Sequence, residues 1–243
     1  MKNIAAFFDV DGTIYRDSLL IEHFKLMIKK GYLSMDAWTG SVKDNFEKWS
    51  TREGDYDTYM EDLVNKYVDG INNVSIDIVE KLADEVIDKK ADKLYRYTKK
   101  RINAHKELGH KIILISGSPD FLVKRMAKKL VADDYTATIY VKKNNVYTGE
   151  QIPMWDSKSK NKAIMEYTKK YMLDLNECYA YGDTSGDLSM LKLVGHPFAI
   201  NPAKKLLNRI NEDDELINKV TVIVERKDVI YELHAKNIKY NKE

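Results

Sequence analysis

Short apolar runs that stop abruptly at small polar and acidic residues constrain this chain more than any other feature. Ile4–Phe8 stops at Asp9-Val-Asp-Gly-Thr13, Lys111–Ile115 at Ser116-Gly-Ser-Pro119, and Glu177–Tyr181 at Gly182-Asp183. Runs this short, apolar at successive positions, suit central strands of a parallel sheet covered on both faces. Phe198–Ile200 and Val220–Val224 read the same way and close the list of strands. Segments of helical spacing separate them, among them Asp120–Leu130 and the Ala163/Tyr167/Tyr171 stripe. That alternation predicts a three-layer α/β domain. Thr138–Val141 and Val146–Thr148 flank Asn144-Asn145, which predicts a hairpin.

The stretch between Tyr15 and about Tyr97 breaks the alternation. Leu20, Phe24 and Met27 recur at helical spacing, as do Trp38, Val42, Phe46 and Trp49. Tyr56, Tyr59, Met60, Leu63 and Tyr67 form a third stripe, and Ile78, Leu82 and Val86 a fourth. These aromatic-rich stripes are read as the insert's own core rather than as a cofactor box. The expected division is a catalytic core of residues 1–15 and 98–243 around a helical insert of 16–97.

A length of 243 residues allows one large domain, or one carrying a smaller insert. With 40 Lys plus Arg against 38 Asp plus Glu, the net charge of +2 argues against a nucleic-acid binder. The lone Cys178 excludes a disulfide framework and a cysteine-based zinc cluster. No apolar run reaches the roughly 20 residues needed to cross a bilayer. The apolar start is too short for a signal peptide, so a cytoplasmic location is expected. The polar tail after about Lys236 is expected to fray.

In an open α/β sheet, ligands bind beyond the carboxyl ends of the strands. The clusters Asp9/Asp11/Thr13, Ser116/Ser118 and Asp183/Asp187 are therefore expected at one edge. Packed carboxylates repel, and a hard divalent cation relieves the repulsion; oxygen ligands of this kind suit Mg²⁺. Thr13, Ser116 and amides beside Gly12 and Gly117 can donate to an anion. With a lysine following the hairpin, these groups describe phosphoryl transfer. Each cluster also has a plainer reading. Asp-Gly is a common turn, Asp183 to Asp187 could cap a helix, and Ser116-Gly-Ser-Pro could be a turn alone.

Asp9-Val-Asp11-Gly-Thr13 resembles the first motif of the haloacid dehalogenase superfamily, Asp-x-Asp-x-Thr. Ser116 after its strand resembles the second motif, Lys160 the third, and Gly182-Asp183-Thr-Ser-Gly-Asp187 the fourth. The stretch from Tyr181 to Pro202 is similar to the phosphoserine-phosphatase-like branch (subfamily IB). The resemblance implies a Rossmann-like α/β/α parallel-sheet core with a helical cap inserted after the first strand. It implies a small phosphomonoester as substrate and an aspartyl-phosphate on Asp9. Asp11 would then protonate the leaving alcohol and later activate water. Mg²⁺ would be held by Asp9, the Asp11 carbonyl and Asp183, with Asp187 supporting the metal waters or the lysine. Ser116, Gly117 and Lys160 would hold phosphoryl oxygens, and Thr13 would bond the phosphate or orient Asp9. Lys158 and Lys162 begin the same helix, but Lys160-Asn-Lys-Ala matches the branch's Lys-x-x-Ala.

Three departures bear on substrate, the first being that no Arg typical of the branch's cap is evident between Tyr56 and Tyr67. Ser18 stands where the branch carries a Glu for a substrate ammonium, and Gly186 stands where it carries Asn. Phosphoserine recognition is therefore not implied. A phosphomutase or a non-catalytic phosphate-binding module of the same fold are the alternatives.

Overall fold

The computed structural model describes residues 3–240. The elements run β1 (Ala5–Phe8), α1 (Leu19–Lys29), α2 (Ser41–Ser50), α3 (Tyr56–Ile71), α4 (Ile76–Lys90), α5 (Arg96–Glu107), β2 (Lys111–Pro119) and α6 (Asp120–Leu130). They continue with β3 (Asp134–Lys143), β4 (Val146–Ile152), α7 (Ser157–Tyr171), β5 (Tyr179–Gly182), α8 (Leu188–Leu193) and β6 (His196–Ile200). The last are α9 (Lys204–Asn211), α10 (Leu216–Lys219), β7 (Thr221–Glu225) and β8 (Ile230–His234).

The chain divides into two compact units: Met1–Ser18, Ala91–Thr138 and Pro153–Glu243 form the first, Leu19–Lys90 and Ile139–Ile152 the second. The division falls within β3. The outer half of the β3–β4 hairpin thus belongs with the helical unit, although the sequence division assigned it to the core.

The first unit is built on a sheet of order β3-β2-β1-β5-β6-β7-β8. The first six strands in that order, β3-β2-β1-β5-β6-β7, are parallel, and β8 runs antiparallel to β7. Phe7, Ile113, Ile115 and Ala180 pack on one face, with Ala163, Ile164, Met190, Leu206 and Ile210 from the covering helices. Phe8 points to the other face, where it stacks on Tyr181 at 4.3 Å and lies edge-on to His105 of α5. Both neighbours in a strand are thus buried, on opposite faces, which is why these strands read as continuous apolar runs. Cys178 is buried in this core and accepts from the Ala5 amide. This is the α/β fold expected.

β8 escapes the sequence reading because it is an edge strand with mostly exposed side chains, and it carries no continuous apolar run. The tail also departs from expectation. Ala235 is buried, and the Tyr240 hydroxyl donates to Asn208 Oδ1 at 2.6 Å and accepts from Asn211 Nδ2 at 2.9 Å. The chain is tied down through Tyr240 rather than frayed from Lys236; residues 241–243 lie outside the described residues.

In the second unit α1 to α4 bury Phe24, Met27, Tyr59, Leu63, Tyr67, Leu82 and Val86, with Tyr140 and Tyr147 from the hairpin. His23 bridges this core, from the Val79 carbonyl at 3.0 Å to the Tyr67 hydroxyl at 2.9 Å. Three of the helical stripes are core. The exception is the Trp38/Val42/Phe46/Trp49 stripe: Val42 alone in α2 is buried, and Trp49 is 39% exposed. Asn144 and Asn145 both take positive φ, as a two-residue hairpin turn requires. No helix among the described residues is long and apolar enough to cross a membrane.

Candidate active site

Strand order decides where the polar clusters meet. From β1 the chain builds outward through β2 and β3, then returns to lay β5, β6 and β7 on the other side. The carboxyl ends of β1 and β5 therefore flank the point where the winding reverses, the usual binding crevice of such sheets. Asp9 follows β1, Asp183 follows β5, and the Asp9 amide donates to the Tyr181 carbonyl at 3.0 Å. Oxygens of Asp9, Asp183 and Asp187 all lie within 4.8 Å of one another.

The loop after β1 can approach β5 this closely because residue 12 lacks a side chain. Gly12 adopts φ +76°, and a Cβ there would sit 2.1 Å from Asp183 Oδ2. Thr13 Oγ1 donates to Asp183 Oδ1 at 2.9 Å. Its hydroxyl thus orients Asp183, where the sequence reading offered the phosphate or Asp9.

Lys160 holds the cluster together. Its Nζ donates to Asp9 Oδ1 at 2.7 Å and to Asp187 Oδ1 at 2.6 Å, with its side chain 3% exposed. Asp156 caps α7 by accepting from the Lys158 and Ser159 amides, and Lys160 falls in the turn that follows. Its choice over its neighbours is a matter of helical phase. Lys160, Ala163, Ile164 and Tyr167 form the buried stripe of α7, whereas Lys158 and Lys162 lie off it and are exposed. Asp187 is committed as a brace: its other oxygen accepts from the Asp183 and Thr184 amides, each at 3.0 Å.

Burial raises the Asp9 carboxyl to about 7; Lys160 opposes the shift, while Asp187 and Asp11 add to it. Asp183 is pushed well above the usual carboxylate range by burial, then by Asp9 and Asp187, with Thr13 and Lys160 opposing. Burial works to lower the Lys160 pKa, but Asp187 and Asp9 carry it above its ordinary value. Two buried carboxylates, Asp9 and Asp187, thus share Lys160, with the half-buried Asp183 beside them. The donor set is short of positive charge and made of hard oxygens, which fits a divalent cation between Asp9 and Asp183.

Ser116 is buried at the end of β2 and accepts from the Ser118 amide at 3.2 Å. The Gly117 carbonyl accepts from Thr138 Oγ1 at 2.7 Å, which pins the turn. Asp11 turns its carboxylate elsewhere, accepting at Oδ2 from Ser118 Oγ at 2.6 Å and Ser18 Oγ at 2.8 Å. Ser18 is the residue that the sequence reading treated only as a missing Glu. No local signal marks its partner, because Asp11 is reached through the turn at Gly12. Gly186 has a steric reason: a Cβ there would lie 2.2 Å from the Trp155 carbonyl oxygen, so that backbone fills the space a larger residue would need.

A chain with this sheet, winding and acidic crevice belongs to the haloacid dehalogenase-like hydrolases, whose family description matches residues 6–192. A probable phosphatase of Mycobacterium tuberculosis is 35% identical over 105 residues, which cover 43% of this chain and 37% of that protein. The match therefore spans well under half of that relative's length. A protein of unknown function from Bordetella pertussis Tohama I shares the fold with a TM-score of 0.70 at 18% identity, covering 87% of this chain and 96% of the other. A substrate-bound phosphoserine phosphatase superposes with a TM-score of 0.62 at 18% identity, covering 90% and 93%.

Proposed function

We propose that this protein is a Mg²⁺-dependent phosphatase that hydrolyses a small phosphomonoester through an aspartyl-phosphate on Asp9. The observation that carries the reading is the buried Lys160, bonded to both Asp9 and Asp187 beside Asp183 at the reversal of the sheet. Lys160 fixes the Asp9 side chain by Oδ1. In this reading Asp9 attacks phosphorus in line with the departing alcohol, and Asp11 gives that alcohol a proton. Asp11 then takes a proton from the water that breaks the acyl-phosphate. Ser116, the amides about Gly117, and Lys160 would hold the phosphoryl oxygens. A magnesium ion held by Asp9, the Asp11 carbonyl and Asp183 would neutralise charge on the phosphoryl group.

The substrate is a soluble ester rather than a nucleic acid, in keeping with a net charge of +2. Ser18 is turned to Asp11 and offers no carboxylate to a substrate ammonium, so phosphoserine holds no special place among substrates. A single buried thiol, Cys178, is in keeping with a reducing cytoplasm.

Hydrolysis of p-nitrophenyl phosphate with Mg²⁺ tests the proposal. Activity is expected, with loss on EDTA treatment and a fall of at least about a thousandfold in Asp9→Asn, which removes the nucleophile. Turnover by Asp9→Asn at the wild-type rate would falsify the assignment.

A further inference from the structure

Two hydroxyls with no part in the chemistry above meet on one atom of Asp11. Ser118 Oγ reaches Asp11 Oδ2 at 2.6 Å and Ser18 Oγ reaches the same oxygen at 2.8 Å. Ser118 is 5% exposed and Ser18 1%. They arrive from separate segments, the end of β2 and the loop before α1. Each is anchored by its own backbone, since the Ser118 amide donates to Ser116 Oγ and the Ser18 amide to Asp17 Oδ1. A carboxylate gripped from two anchored points on one oxygen is held in a single rotamer. Neither serine is needed to complete the acidic cluster, whose members are Asp9, Asp183 and Asp187.

We propose that Ser18 and Ser118 are positioning residues for Asp11: they hold it by Oδ2 and so present Oδ1 as the oxygen that carries the proton. The inference rests on the reading of Asp11 as the acid of a phosphatase. In the step concerned, an Asp9 oxygen forms a bond to phosphorus while the bond from phosphorus to the alcohol oxygen breaks. The electron pair leaves on that oxygen, which takes the proton from Asp11 Oδ1. Asp11 finishes as a carboxylate that still accepts from both hydroxyls. An Oδ2 that accepts two hydroxyl hydrogens is the poorer site for a third, so the transferable proton is steered to its partner.

Substrates whose leaving groups differ in their need for that proton separate positioning from a general structural role. An alkyl phosphate such as β-glycerophosphate must expel an alkoxide and needs the acid. p-Nitrophenyl phosphate expels a stable phenolate and barely needs it. The quantity to measure is the ratio of kcat/KM for the two substrates on one preparation, which cancels any difference in the fraction of folded enzyme. Asp11→Asn is expected to lower that ratio about a hundredfold or more, the usual size of general acid catalysis. Ser18→Ala and Ser118→Ala are each expected to lower it about tenfold, part of the same effect. Ser118→Thr, which keeps a hydroxyl, is expected to stay near wild type. An unchanged ratio in both alanine variants, with Asp11→Asn lowering it, overturns the positioning role alone. An unchanged ratio in Asp11→Asn overturns the reading of Asp11 and this inference with it.

Discussion

Replacing Lys160 by Met removes the cation bonded to the buried Asp9 and Asp187 while keeping a side chain of similar length and apolar stem. Lys160 is 3% exposed in its side chain and donates to Asp9 at 2.7 Å and Asp187 at 2.6 Å, themselves 8% and 0% exposed. Breaking a buried ion pair by deleting one partner costs about 3–5 kcal/mol, because the remaining charge stays buried without compensation. In a chain of this length each kcal/mol moves Tm by roughly 2–4 °C, so a fall of about 6–20 °C is expected in EDTA. The cost depends on pH in a definite direction. Asp9 sits at about 7 in the folded protein against 3.8 as its ordinary value, mainly through burial. A raised carboxyl contributes stability that is present at low pH and is lost as pH rises through its folded value. In wild type the Asp9 contribution therefore stops falling above pH about 7, where Asp9 has ionised beside Lys160. Without the lysine Asp9 keeps its proton to higher pH and the loss continues, by up to about 1.4 kcal/mol per pH unit. The gap between wild type and Lys160→Met is thus expected to be constant below pH 7 and to widen above it. Thermal unfolding in EDTA from pH 6 to 9 measures this, with Lys162→Met as control. Lys162 is 79% exposed and 4.0 Å from Glu166, so its loss is expected to cost less than about 0.5 kcal/mol. Equal melting temperatures for the two variants would refute the account of Lys160 as the charge that holds the cluster.

Acid stability should report on His105, which meets the Tyr181 hydroxyl at 2.8 Å and His110 Nδ1 at 3.0 Å. Burial, then Arg101, His110 and His196, lower it from 6.5 to about 3. A lowered histidine binds its proton in the unfolded chain first, so its contribution is present above pH 6.5 and lost as pH falls toward 3. In chemical denaturation with Mg²⁺ present, the advantage of wild type over His105→Gln is expected to shrink steadily below pH 6.5; a difference that does not change with pH contradicts this. Gly186→Asn, which restores the residue found in the phosphoserine-phosphatase-like branch, is expected to destabilise by about 1–3 kcal/mol, because its Cβ meets the Trp155 carbonyl. A denaturant midpoint at or above that of wild type would show that the loop at Trp155 moves aside freely.

Much of the core was legible because its physics is local. Phe7 and Phe8 are adjacent and bury on opposite faces of the sheet, so the apolar run itself announces a doubly covered strand. Asn144-Asn145 announces its turn by composition. The sequence offers Lys160 through its spacing from Ala163, and the structure buries it in one stripe with Ala163, Ile164 and Tyr167. Edge strand β8 was not, because an exposed strand need not be apolar. The tail was misread for a related reason: its anchors at Ala235 and Tyr240 are isolated contacts with no periodicity.

Within the chain alone lay the strand ends, the acidic and hydroxyl residues at them, and the family to which they point. Tertiary structure decided who faces whom. It turned Thr13 to Asp183, brought Ser18 and Ser118 to one oxygen of Asp11, and set the Trp155 carbonyl against Gly186. Periodicity and turn chemistry act over a few residues and leave a trace in sequence. Hydrogen bonds between distant segments depend on strand order and on one glycine's positive φ, and leave none.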